Sequence, residues 1–211
     1  MCASRLVLLL GALAWGLTDA PSAVAKPDHT APDICVSESA SLHSLTGAVV
    51  NSGDVEDALH GLERGCDPAA TLTWLETAAS SGSAPASYAL GLLYEEGRHV
   101  SPDLSAATRH YRRAAVKGHL DSQHHLGMLL LGETKPVSEI EEALYWLGSA
   151  VNQGDGMSAA VIALLHVYGM RGVDADPCMA MTWLEVSEMM GAPIALDSLR
   201  AQARAMATNR C

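Results

Sequence analysis

The feature that most constrains this chain is a period. Glycines recur at Gly82, Gly118, Gly154 and Gly191, spaced by 36, 36 and 37 residues, and their surroundings recur with them. Eight positions before each glycine stand Trp74, His110, Trp146 and Trp183, and four before stand Ala78, Ala114, Ala150 and Ser187. Four positions after come Ala86, Ser122, Ser158 and Ala195; eight after come Leu90, Leu126, Ile162 and Leu199. A period of this length marks stacked supersecondary units, each unable to bury its apolar face alone.

The stretch from Ala86 to Gly118 shows one unit: two helices and a turn. Asp67-Pro68, Ser101-Pro102 and Asp176-Pro177 each place a capping residue before a proline, and Ser138 with Glu141 has capping-box spacing. All four predict the start of a unit's second helix, and the glycine predicts its left-handed end. The fold class follows: all-α, an α/α solenoid, with repeats over 67–191. A pair of cap helices is expected over 37–66, with Leu42, Leu45, Val49 and Asn51 in the first and a break at Gly53. A last cap helix is expected within 192–211.

The first residues predict export rather than fold. Arg5, an apolar run from Leu6 to Leu17 and a small-residue site ending Ala23-Val24-Ala25 read as a signal peptide over 1–25. Lys26 to Asp33 carries two prolines and no apolar pattern, so 26–36 reads as a disordered leader. Four cysteines remain after the signal, Cys35, Cys66, Cys178 and Cys211, as suits an oxidising compartment. In a solenoid the first two lie at one end and the last two at the other, so the expected pairs are Cys35–Cys66 and Cys178–Cys211. Free thiols are the alternative. The formal net charge of −11 disfavours nucleic acid and anionic membrane surfaces and would steer a basic partner inward.

Segments such as ALGLLYEEG with RHYRRAAVKG, HLGMLLLGE with EALYWLGSAVNQG, and IALLHVYG with MTWLEVSEMMG resemble Sel1-like repeats, relatives of the tetratricopeptide repeat (TPR). The resemblance covers about Ala69 to Gly191. It departs from the pattern at His110, which replaces tryptophan, and at Ala163, where the other units have Gly91 and Gly127. Cysteine-rich secreted members of the family carry a disulfide in each repeat; this chain has cysteines for only two. The resemblance implies an adaptor that binds another protein through a groove lined by first-helix side chains, in the periplasm or secreted, as a regulator or toxin antagonist. It also implies two alternatives, a β-lactam-binding or hydrolase-type enzyme as proposed for cysteine-rich relatives, and a structural envelope component.

Against catalysis, the chain has no Cys-x-x-Cys, His-Glu-x-x-His, Gly-x-Ser-x-Gly or Ser-x-x-Lys. Residues 154–159 (GDGMSA) fit a dinucleotide fingerprint, but between two helices rather than after a strand. His99, His110, His119, His124 and His125 are close in sequence without ligand spacing, so no metal or cofactor is expected. Trp74, Trp146 and Trp183 share a phase with apolar neighbours and read as packing. Tyr88, Glu95, Glu96, Gln123 and His125 lie on first helices, mixed polar and aromatic, and are the expected partner-binding residues.

Overall fold

The structure, a computed structural model, describes residues 50–132, 136–192 and 196–207. Among them are nine helices and no strand: α1 (Ser52–Glu63), α2 (Pro68–Ser80), α3 (Ala84–Glu96), α4 (Leu104–Val116), α5 (Leu120–Leu130), α6 (Val137–Asn152), α7 (Gly156–Tyr168), α8 (Pro177–Met189) and α9 (Asp197–Ala207). Helices pair as α3 on α4, α5 on α6 and α7 on α8, and each pair stacks on the next through α4–α5 and α6–α7. The C-terminal α9 packs on α8 and α7. This is an all-α solenoid.

The periodic glycines hold the stack in register. Gly82, Gly118, Gly154 and Gly191 all have positive φ, +102°, +85°, +99° and +70°. A side chain in that region costs about 1–2 kcal/mol. The left-handed residue turns the next amide back onto the helix just ended. Ser83, His119, Asp155 and Ala192 donate to the carbonyls of Ala78, Ala114, Ala150 and Ser187 at 3.0–3.1 Å. This is the six-to-one bond of a Schellman motif. The recurring small residue four positions before each glycine is therefore the acceptor of that bond.

A second recurring pair sets how closely the two helices of a unit approach. Seven positions before the glycines stand Leu75, Tyr111, Leu147 and Leu184, all with no exposed surface. A Cβ on Gly91 would lie 2.4 Å from the Tyr111 ring, and one on Gly127 2.6 Å from Leu147. Ala163 and Leu184 share a core cluster at the matching position. The missing side chain on the first helix makes the hole that the large residue of the second helix fills, each burial worth roughly 1.5–3 kcal/mol.

Asp67 and Asp176 cap α2 and α8 with a proline in the first turn, as their sequence predicts. The other two starts differ. Asp103, not Ser101, caps α4, because its carboxylate accepts from both Ser105 and Ala106 at 2.9 and 3.0 Å. Pro102 instead covers Gly97, with a ring carbon 2.7 Å from where a Cβ would stand. Helix α6 begins at Val137 behind Pro136 with no side-chain cap, so Ser138 lies inside the helix and makes no box with Glu141. Nor does Gly53 break a helix. Asn51 and Asp54 form a reciprocal capping box that starts α1 at Ser52, leaving Gly53 in its first turn. Leu42, Leu45 and Val49 lie outside the described residues.

Cys66 and Cys178 are each disulfide-bonded. Cys35 and Cys211, their expected partners, lie outside the described residues, as do the expected signal peptide and leader. Trp74 and Trp146 are buried and Trp183 is half-buried, each packed in a core cluster. His110, in the same slot, stacks on Tyr94 with ring centroids 5.6 Å apart.

Candidate functional site

The residue after Gly82, Gly118 and Gly154 does two jobs. Besides closing the second helix, it opens the following first helix. Ser83 Oγ accepts from the Ala86 amide at 3.2 Å. Asp155 accepts from the Met157 and Ser158 amides at 3.1 and 3.0 Å. His119 fills the same place with an imidazole, whose Nδ1 accepts from the Ser122 amide at 3.3 Å and lies 3.1 Å from Ser122 Oγ. Only neutral histidine can accept there. Burial holds its pKa below the usual 6.5, against a smaller opposing pull from Asp121.

These caps bring the expected residues together. Tyr88 lies against His119, His125 and Tyr111, with ring centroids 4.7, 5.7 and 5.9 Å apart. Tyr111 stacks on His125 at 5.1 Å and donates a 2.5 Å hydrogen bond to Glu95 Oε2, which stands 3.3 Å from His125 Nδ1. Tyr88, Glu95 and His125 thus form one cluster across α3, α4 and α5. Glu96 is exposed beside it and ion-paired to Arg98. Gln123 is a correction, because it is buried and both ends of its amide are engaged. It donates to the Ala115 carbonyl at 3.2 Å and accepts from Gln153 at 2.8 Å, so it joins α4, α5 and α6 and is not open to a partner.

His119, His124 and Asp155 are half-buried around the same cluster, Tyr111 and Ser158 are fully buried within it, and none of the five is among the partner-binding residues expected from sequence. The signals are present in the sequence: a tyrosine in a leucine slot, and a polar residue directly after Gly82, Gly118 and Gly154. The Tyr88 phenol registers the field here, being pushed up to about 12 by burial and by Asp121, Glu95 and Glu96. Ten positions after the glycines, Leu92, Met128 and Leu164 extend the face; Met128 and Leu164 are 45% and 38% exposed.

His124, Asp155 and Ser158 bring together the residue types of a hydrolytic triad in a different geometry. Asp155 Oδ2 and Ser158 Oγ both face the same imidazole nitrogen, Nδ1, at 3.0 and 2.9 Å. Ser158 is fully buried and donates to Asp155 at 2.5 Å. A triad sets the serine on one ring nitrogen and the carboxylate on the other. This is a capping network. Burial would raise the Asp155 pKa, but hydrogen bonds from Ser158 and Met157 and the neighbouring His124 together hold it below the usual range.

The GDGMSA stretch is explained by packing. A Cβ on Gly156 would stand 2.9 Å from the Ser187 carbonyl, and Ser187 Oγ donates to the Gly156 carbonyl at 2.8 Å. Among the described residues no group of three or more His, Cys, Asp or Glu is placed to hold a metal ion. No described helix is long and apolar enough to cross a membrane.

The Sel1 repeat family model matches residues 58–83, 84–119, 120–155 and 157–191. The chain belongs to the Sel1 repeat family. The first three matches end on the residue directly after the periodic glycine and the fourth on Gly191 itself, so the family period and the Schellman period coincide. A Sel1 repeat protein from Oxalobacter formigenes is similar in structure, with TM-score 0.57, 25% identity, and 76% of this chain and 72% of that chain covered. The c5321 protein, a protective antigen of uropathogenic Escherichia coli strains with the same repeat fold, is similar with TM-score 0.62 and 22% identity. There 81% of this chain is covered but only 36% of the antigen, so the Sel1 repeats here span about a third of its length. No curated protein sequence matches the chain. Sel1 repeats are scaffolds for protein–protein interaction.

Proposed function

We propose that this Sel1 repeat protein is a non-catalytic adaptor of the cell envelope, exported by its N-terminal signal. It binds a basic segment of a partner protein on the first-helix face around Tyr88. One observation carries the reading: Tyr88 packs on His119 and His125 with Glu95 3.3 Å from His125, so that a half-buried aromatic ring stands beside carboxylates on one face. A face with that field attracts a lysine or arginine side chain, and the Tyr88 ring offers a surface on which such a cation can lie. Leu92, Met128 and Leu164 supply apolar contact along the same helices. A regulatory or toxin-antagonist role fits this mode of binding, because occupying a surface is all that such a role requires. The disulfides complete the reading, with Cys35–Cys66 and Cys178–Cys211 closing the two ends of the stack.

The test is a pull-down from the native envelope fraction, followed by titration of the captured protein's basic segment into the wild-type chain. The control variant combines Tyr88→Ala, Glu96→Lys and Asp121→Lys. Glu95 is left in place because it holds Tyr111 and His125. Loss of a discrete partner with the variant supports the assignment. Equal capture by the variant overturns it.

A further inference from the structure

The second helices carry a surface of the opposite sign, independent of the first-helix face. Of 13 lysines and arginines in the chain, four fall within nine residues at the end of α4 and its C-cap: Arg109, Arg112, Arg113 and Lys117. With Val116 they recur at helical spacing and line one shallow surface depression.

The repeat shows that packing does not require these cations. The slot of Arg109 holds Thr73, Tyr145 and Thr182 in the other second helices. That of Arg112 holds Glu76, Gly148 and Glu185. Three of the four are held in place, and Arg113 and Lys117 have no ion-pair partner among the described residues. Arg112 makes a bidentate pair with Glu142, both contacts 3.0 Å. Arg113 and Lys117 reach back to α2 and donate to the carbonyls of Ala79 and Gly82 at 2.7 and 2.8 Å, which orients each cation without neutralising it. Arg109 has no hydrogen-bond or ion-pair partner among the described residues. The local field is positive enough to help lower the pKa of His110, where burial acts first and Arg113 and Arg109 add to it. Among these cations stands Val116, 71% exposed, and Tyr145 in the Arg109 slot of α6 is 65% exposed.

We propose that this stripe on α4 docks a short acidic, amphipathic segment of a protein, its carboxylates on Arg109, Arg113 and Lys117 and an apolar side chain over Val116. Long polyanions and anionic bilayers meet a chain of net charge −11, whereas a short segment meets only the local positive surface. With the first-helix face it would let one Sel1 stack bridge partners of opposite charge.

The test uses a short fluorescein-labelled peptide of glutamates and leucines, titrated with the full chain by fluorescence anisotropy. Binding is expected to weaken about tenfold with Arg109→Glu and less than about twofold with Arg204→Glu, an equal charge change on α9. It should fade toward ~0.5 M salt and be absent for a peptide with lysine in place of glutamate. Since Arg109 bonds no described residue, its variant should melt with the wild type. If it does not, Val116→Asp is read instead. Unchanged affinity in the variant that is read, or equal losses for Arg109→Glu and Arg204→Glu, overturns the proposal. So does displacement of the peptide by inorganic phosphate, or capture by phosphatidylglycerol vesicles lost with Arg109→Glu while the peptide fails to bind. Those outcomes would make the stripe a general anion or lipid site.

Discussion

Tyr111 and Glu95 are joined by a 2.5 Å hydrogen bond across the α3–α4 pair, and the same carboxylate oxygen stands 3.3 Å from His125 of the next repeat. In the other second helices the Tyr111 slot holds leucine. One hydroxyl therefore converts an intra-repeat knob into part of an inter-repeat polar network.

Replacing that hydroxyl tests its worth. Tyr111→Phe keeps the ring in place and removes a bond to a charged acceptor, so it should destabilise the fold by about 1.5–3 kcal/mol. Thermal unfolding followed by circular dichroism should show a loss of several degrees. No loss would mean that solvent or His125 satisfies Glu95 alone.

High pH should act through the same pair of rings. Burial and then Asp121, Glu95 and Glu96 push the Tyr88 phenol up to about 12, while burial first and then the Glu95 bond raise Tyr111. A folded-state pKa above the unfolded value of 10.0 gives stability that is whole below pH 10 and is lost as pH rises through the folded values. Ultraviolet titration should show two of the five tyrosines ionising late, and melting temperature should fall above about pH 10. Both effects should shrink in Tyr88→Phe.

Acid should loosen the stack through two histidines. Burial lowers the pKa of both His119 and His110 from 6.5, so their neutral forms are favoured in the fold. Stability from a depressed pKa is full above 6.5 and is lost as pH falls through the folded values. Melting temperature should drop from pH 7.5 to 5. His119→Ser, which restores the Ser83 type of cap, combined with His110→Trp, which restores the repeat's tryptophan, should flatten that slope. An unchanged slope would assign it to other groups.

The glycine hole predicts a coupled pair. Gly91→Ala drives a Cβ into the Tyr111 ring and should cost about 1–3 kcal/mol. Adding Tyr111→Leu approaches the Ala163–Leu184 combination of the α7–α8 repeat and should recover part of that loss. A double-mutant cycle measures the coupling, and additivity would show that ring and glycine do not meet as described.

Asp155 holds three elements at one point. It caps α7 through two amides, accepts from Ser158 and stands 3.0 Å from His124 of α5. Asp155→Ala should cost about 2 kcal/mol, at the upper end for a cap. Asp155→Asn, which still accepts from amides, should recover most of it. Equal losses in the two variants would place the contribution in the charge.

The period was legible in the sequence because backbone geometry sets it. Only glycine enters the left-handed region cheaply, so Gly82, Gly118, Gly154 and Gly191 announce where second helices end. Asp67 and Asp176 announce two starts because aspartate before proline has one inexpensive conformation. Ser101 does not cap its helix, for the complementary reason. A cap is a local competition between neighbours, and Asp103 offers two amides a charged acceptor where Ser101 offers a neutral one.

The repeat, its helix pairs and the family are legible in residue order, since each follows from interactions within a few residues. Which polar residues share a face depends on how the helices stack. Glu95 meets Tyr111 from 16 positions away, His124 meets Asp155 from 31, and Arg113 meets Ala79 from 34. Gln123 passes from surface candidate to buried strut for the same reason. Stacking brings residues about one period apart within a few ångströms, and their side-chain rotamers, which no local propensity specifies, decide whether they bond to each other or stay open to a partner.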